Sequence, residues 1–160
     1  MIVELTDYNT WANEKVTSFI LSAGDEIADM ELQSSFPTIR KTLYHIWDAQ
    51  LIWYARLKGI PFSTWPSKSF NGTLEESCVR LIKNSKDITA FAKEADGGFS
   101  TMVNYKALDG KEYENAVSEI ILHCMNHSTY HRGQLITMLR QAGFQDVGST
   151  DLIQFYRQSK

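Results

Sequence analysis

Between Val3 and Ser22 the apolar residues Leu5, Tyr8, Trp11, Ala12, Val16, Phe19 and Ile20 recur at intervals of three and four, with Asn, Glu and Lys between them. That spacing predicts an amphipathic first helix over 3–22. Gly24 is the expected stop, and Ala28 to Pro37 reads as a connection. Pro37 sits where a new helix can begin, since its missing N–H has no helical partner to lose there. The second helix is expected over 38–58, closed by Gly59 and then by Ile60-Pro61, which cannot continue it. From Pro61 to Gly72 aromatics, Pro, Ser and Gly follow without a period, as in a loop. Thr73-Leu-Glu-Glu76 is a capping box opening a third helix over 73–96, which carries Val79, Leu81, Ile82, Ile88 and Phe91 and should end at Gly97-Gly98. Phe99–Leu108 and Lys111–Tyr113 flank Asp109-Gly110, a dipeptide suited to a two-residue type I′ hairpin turn. A fourth helix over 115–141 stops at Gly143, and Asp151 introduces a short terminal helix. Four long helices in a chain of this size predict an all-α four-helix bundle, with a small β-hairpin between helices 3 and 4.

Composition narrows the class. A chain of 160 residues with 43% hydrophobic content can bury a full core, and no linker or repeat divides it, so residues 1–160 read as a single domain. The net charge is -3 and the 16 Lys and Arg are scattered, which leaves no footprint for nucleic acid. No stretch approaches the roughly 18 apolar residues of a membrane span, and the N-terminal residues show no basic, apolar leader pattern. Cys78 and Cys124 make no CxxC and no disulfide framework. These features predict a soluble, cytoplasmic protein.

The chemistry concentrates in the fourth helix, where His123, His127 and His131 recur every fourth residue. At about 100° per residue, a step of four advances roughly 40°, so the three rings form one stripe. With His127 as the reference, Ala116, Ile120, His123, His131, Gln134 and Met138 share an inward face. One core histidine is ordinary. Three stacked along a buried face carry several polar nitrogens, each costing about 1–3 kcal/mol if left unpaired. A shared metal ion resolves that, as would a hydrogen-bonded network or a partly solvated cleft. The fourth histidine, His45, lies in the second helix on the face of Thr42, Ala49, Ile52 and Arg56, and is the natural third ligand beside His127 and His131. Asp48, about 60° to its side, is a candidate for positioning a water, though a helical Asp there is more often a solvated charge. Cys124 reads better as a small buried hydrophobe than as a ligand. Trp11, Trp47, Trp53 and Trp65 either line a pocket or pack.

Three blocks carry a family resemblance: Leu5-Thr-Asp-Tyr8-Asn9-Thr-Trp11-Ala12-Asn13; Thr42-Leu-Tyr-His45-Ile-Trp47 through Trp53 and Gly59; and His123-Cys-Met-Asn-His127-Ser-Thr-Tyr130-His131-Arg132-Gly133-Gln134. In this order they resemble the DinB family, small DNA-damage-inducible proteins of bacilli, and HxxxHRGQ is the specific part. The resemblance covers essentially the whole chain. It implies an up-down-down-up bundle related to mycothiol-dependent maleylpyruvate isomerase and bacillithiol S-transferases, with a divalent metal held at His45, His127 and His131. His123 falls on a position often histidine in the family but not a ligand of first choice. Where many members carry an acid five residues after the first ligand, this chain has Gln50.

Three histidines leave a coordination position open, as catalytic sites do. With the resemblance, this implies metal-dependent transfer of a low-molecular-weight thiol to an electrophilic substrate. A non-catalytic, metal-binding stress-response protein and a metal-dependent hydrolase are the alternatives. Zinc or nickel is preferred, with manganese or iron next. No residue is assigned as catalytic beyond Asp48 as a candidate, no organic cofactor is implied, and His123, Gln134 and Asp48 are expected around the pocket. Leu122, Met125 and Ile136 lie about 140–180° from His127, and a helix apolar on two sides predicts burial on both. A homodimer would provide it, as would Phe144 and the terminal Leu152-Ile153-Phe155 folding back.

Overall fold

The computed structural model describes residues 1–62, 64–95 and 97–158. Its elements are α1 (Ile2–Ala28), α2 (Ile39–Leu57), α3 (Leu74–Glu94), β1 (Met102–Lys106), β2 (Glu112–Ala116), α4 (Val117–Gln141) and α5 (Leu152–Gln158), with a short 3-10 turn at Pro66–Ser69. Gly24 interrupts α1 as a kink, at φ 83° and ψ 171°, and a last helical turn follows it to Ala28. A side chain disfavours that left-handed region, which is why glycine stands there. Thr38 caps α2 by accepting a hydrogen bond from Lys41 N–H, so Pro37 lies one residue before the cap instead of opening the helix. The Thr73–Glu76 capping box forms with both of its bonds. The last residue expected for α3, Asp96, lies outside the described residues.

The hairpin forms where expected but turns differently. Lys106 pairs with Glu112. Beyond that pair Ala107 N–H donates to Lys111, and Gly110 N–H donates to Ala107. The loop therefore spans Leu108, Asp109 and Gly110, with Gly110 at φ 84°. A three-residue loop ending on a left-handed glycine replaces the two-residue turn. Strand β2 also takes residues 112–116, so α4 starts at Val117; there the Glu119 carboxylate accepts the Ala116 N–H.

Side-chain pairings fix the topology. Asp7 meets Lys93, Thr10 meets Thr89 and Asn13 meets Ser85, so α1 and α3 are antiparallel. Gln50 meets Ser85 and Tyr54 meets Phe91, so α2 and α3 run parallel. Thr42 meets Met138 and Trp53 meets His123, so α2 and α4 are antiparallel. The bundle is therefore up-down-down-up.

Its core is layered. At one end Val16, Ile20, Ile39, Leu43, Ile46, Leu81, Leu135 and Leu139 pack together; at the other, Ile88, Ala92, Val117, Ile121, Cys124 and Met125. Between them lies a buried polar layer with a contribution from every long helix. Arg132 Nη1 donates to Asn9 and Asn13, and Nη2 donates to Thr129. Asn9 donates to Gln50, and Ser85 joins Gln50 and Asn13. The guanidinium carbon of Arg132 stands 5.4 Å from the Tyr8 ring centroid. Among the described residues no carboxylate pairs with Arg132. Gln50, at the position where an acid was considered, is thus a core amide.

The outer face of α4 differs from expectation. Met125 is buried in the chain's own core and Ile136 packs against it, so only Leu122 of the three stays exposed. The terminal helix α5 lies on α1, where Phe155 packs edge-on against Tyr8 and tilted against Trp11. Among the described residues, no helix is long and apolar enough to cross a membrane.

Candidate metal centre

The antiparallel packing of α2 on α4 brings His45 opposite the His127–His131 pair. The three rings each offer one nitrogen, and these nitrogens all lie within 4.8 Å of one another. His45 Nε2 and His127 Nε2 are 3.0 Å apart. Two ligands at about 2.0–2.1 Å in a tetrahedral site stand about 3.3 Å from each other. Small side-chain rotations therefore suffice to bring all three onto one ion, and the donor set fits a borderline metal.

Protonation favours it too. Burial, and then the charge of His131, pushes His45 down to about 4. His127 is likewise pushed to about 4 by burial first and then by its histidine neighbours. Both rings are therefore neutral near pH 7, with lone pairs available.

The orientation of His131 is set from behind. Its Nδ1 lies 2.8 Å from Gln134 Oε1, and an amide oxygen only accepts, so Nδ1 carries the proton and Nε2 the lone pair. Gln134 is held in turn by its Nε2–H bond to Ser35 Oγ, 2.8 Å. Gln134 was expected in the pocket as a stripe residue; its place behind His131 gives it an orienting task.

His123 departs from expectation. It is exposed, not inward-facing, and among the described residues it makes no hydrogen bond. Its ring packs edge-on against Trp53, centroids 4.8 Å apart, and stands 5.9 Å from that of His127, outside the three-nitrogen cluster. One further step of four residues, roughly 40° around the helix, carries His123 past the point where the other three rings meet.

Asp48 has a structural task. It is 5% exposed, and its two oxygens accept from Ser67 N–H and Ser67 Oγ–H, so it ties down the Pro66–Ser69 turn. Burial still raises its pKa above the usual carboxylate range, against the lowering effect of those bonds. With His45 it lines a cavity of about 430 Å³, together with Phe36, Tyr44, Trp65 and Lys68. Phe36 covers the cluster, 4.4 Å from the His45 ring. Cys124 is buried and its thiol is pushed up to about 12, as suits a core residue. Of the four tryptophans only Trp65 lines this cavity; Trp47 is in the core and Trp11 packs on α5.

Sequence reasoning named the three clustered histidines but missed Ser35 and Phe36, which lie in an aperiodic connection. It also quoted Arg132, Asn9 and Asn13 only as parts of blocks. Their signal was there in polar residues falling on the inward faces of two helices.

An up-down-down-up helical bundle with three histidines converging from its second and fourth helices defines a class of small proteins able to hold a divalent metal. The DinB family model matches residues 1–158, and the chain belongs to the DinB family. It is 28% identical over 148 residues to Protein DinB of Bacillus subtilis (strain 168), covering 88% of this chain and 86% of that protein. A crystal structure of a DinB-like protein from Bacillus cereus ATCC 10987 superposes with a TM-score of 0.65 at 18% identity, over 88% of this chain and 91% of that one.

Proposed function

We propose that this protein is a divalent-metal-dependent enzyme that transfers a low-molecular-weight thiol to an electrophile, with His45, His127 and His131 as the metal ligands. The observation that carries the reading is the convergence of three imidazoles beside a cavity, with no carboxylate or thiolate among the donors. His45, His127 and His131 would hold a zinc or nickel ion, which would supply the positive charge that lowers the pKa of a thiol bound beside them. The chain's own groups bind and orient. Gln134 keeps His131 in the ligating tautomer, Phe36 and Trp65 restrict water, and Lys68 brings positive charge to the cavity mouth. Residues 1–160 act as one domain in this reading. The protein works in the cytoplasm as a homodimer, for which the remaining support on α4 is Leu122, 42% exposed.

The test is turnover of 1-chloro-2,4-dinitrobenzene with L-cysteine and with glutathione, using protein stripped with chelator and then loaded with zinc or nickel. Metal-dependent turnover that disappears in His131→Ala is expected. Stoichiometric metal binding with no rate above background for either thiol would replace the enzyme by a non-catalytic metal-binding protein. Sedimentation as a single species near 18 kDa would remove the dimer.

A further inference from the structure

Arg56, in the last turn of α2, holds its guanidinium carbon 4.2 Å from the Trp53 ring centroid and 4.5 Å from that of Tyr105. Those rings meet nearly at right angles, 80°, and Tyr105 is fixed by its hydroxyl bond to Asn115. The guanidinium sits in an aromatic corner that orients it without using its N–H groups. Among the described residues no carboxylate lies within ion-pair distance of it. Arg40, by contrast, is paired with both Asp25 and Asp29. Burial holds the Arg56 pKa below the ordinary arginine range, the mark of a charge removed from water without full compensation. It faces a cavity of about 280 Å³ that is lined also by Phe62, Asn104 and Lys106. A planar, oriented fork with free donors and a second cation nearby matches a carboxylate, which it can grip through two parallel bonds.

The position of this corner relates it to the histidines. Trp53 contacts His123, and His123 adjoins His127, so a chain of ring contacts along α2 and α4 links the Arg56 corner to the histidine cluster. Arg56 is eleven residues beyond His45, a helical rise of about 16 Å that its own long side chain and an elongated ligand would span together. An extended tripeptide is about 10 Å long.

We propose that Arg56 is the anchor for a carboxylate of an elongated, peptide-sized thiol whose sulfur reaches the three-histidine centre. This specifies the thiol class of the proposed transfer reaction and rests on that reading for the sulfur end, while the anion site stands on its own geometry.

The probe for the anion site is S-methylglutathione, a tripeptide thioether with two carboxylates and no thiolate, titrated calorimetrically into metal-free protein. The wild type should bind it, Arg56→Gln should weaken it roughly 10- to 100-fold, the range for hydrogen bonds to a charged group, and Arg56→Lys should fall between. The diethyl ester should bind the wild type as weakly as the acid binds Arg56→Gln. Equal affinity for wild type and Arg56→Gln, or no binding to either, overturns the proposal; tighter binding of inorganic phosphate than of the peptide overturns the carboxylate assignment. Arg56→Lys keeps the charge and stem, so it serves if Arg56→Gln does not fold. Glutathione added to cobalt-loaded protein tests the other end. Absence of a thiolate-to-cobalt absorption band, with Arg56-dependent binding of the thioether intact, would refute the thiol-transfer reading and leave the anion site standing.

Discussion

Gln134 offers a two-sided test of how the metal centre is tuned. Gln134→Ala removes the acceptor 2.8 Å from His131 Nδ1 and frees the ring to rotate and to exchange tautomers. The lost bond is neutral to neutral, worth about 0.5–1.5 kcal/mol in the metal-free fold. Because Gln134 is only half-buried and bonds a surface serine, the loss of stability should sit at the low end of that range. Metal affinity should suffer more. Losing the group that orients a ligating histidine weakens binding about 10- to 100-fold, or about 1.4–2.7 kcal/mol. Gln134→Glu should act in the opposite direction. Its carboxylate still accepts from His131 Nδ1, can accept from Ser35, and makes the imidazole a stronger donor to the ion. The gain from a neutral to a charge-assisted bond, about 1 kcal/mol or a little more, corresponds to about a tenfold tightening. The assay is competition between the protein and a chelator for cobalt, read from d–d absorption at pH 7.5. Affinities within twofold of wild type for both variants would mean that Nδ1 is not the orienting nitrogen, and would refute the tautomer argument.

Three further outcomes follow from the same structure. Arg132→Met should lower the melting temperature by about 10 °C or more, because it strands buried acceptors on Asn9 and Asn13 at about 1–3 kcal/mol each; a loss under about 1 kcal/mol would show that the polar layer is not a structural unit. Asp48→Ala should cost about 1–3 kcal/mol in urea unfolding by releasing Ser67, yet leave cobalt affinity within about threefold of wild type; a larger loss of affinity would return Asp48 to the metal centre. In chelator, the fold should weaken as pH drops from 6.5 toward 4. His45 and His127 hold pKa values of about 4 folded against 6.5 unfolded, so the unfolded chain binds more protons in that window. Discounted for their partial exposure, the effect is about 1–2 kcal/mol per histidine, and equal urea midpoints at pH 7.5 and 5.0 would contradict it.

The helices were legible because their signals are local: the apolar intervals of α1, the Thr73–Glu76 box and the stops at Gly59 and Gly143 act within a turn or two of chain. The convergence of His45 with His127 and His131 was legible through spacing and face, and the family blocks agreed. What escaped notice depends on tertiary registration. Whether Asp48 faces a histidine or Ser67 is decided by where an aperiodic loop lands. Whether His123 stays in the seam depends on how far α4 rotates against α2. The buried amides and Arg132 look like surface residues one at a time, and become a layer only when four helices are brought into register. The Asp109-Gly110 turn erred for a local reason: the dipeptide suits either loop length, and strand pairing at Lys106–Glu112 chose the longer. Met125, opposite the histidine stripe, is buried within its own chain because Phe99 and Val103 from the hairpin region pack against the cluster that contains it.

The central claim is that one ion sits between His45, His127 and His131. X-ray absorption at the zinc edge of the stoichiometrically loaded protein tests it most directly. Three imidazole nitrogens at about 2.0–2.1 Å plus one light-atom ligand are expected, falling to two imidazoles in His131→Ala. A sulfur neighbour at about 2.3 Å, or fewer than three imidazoles in the wild type, would contradict the account.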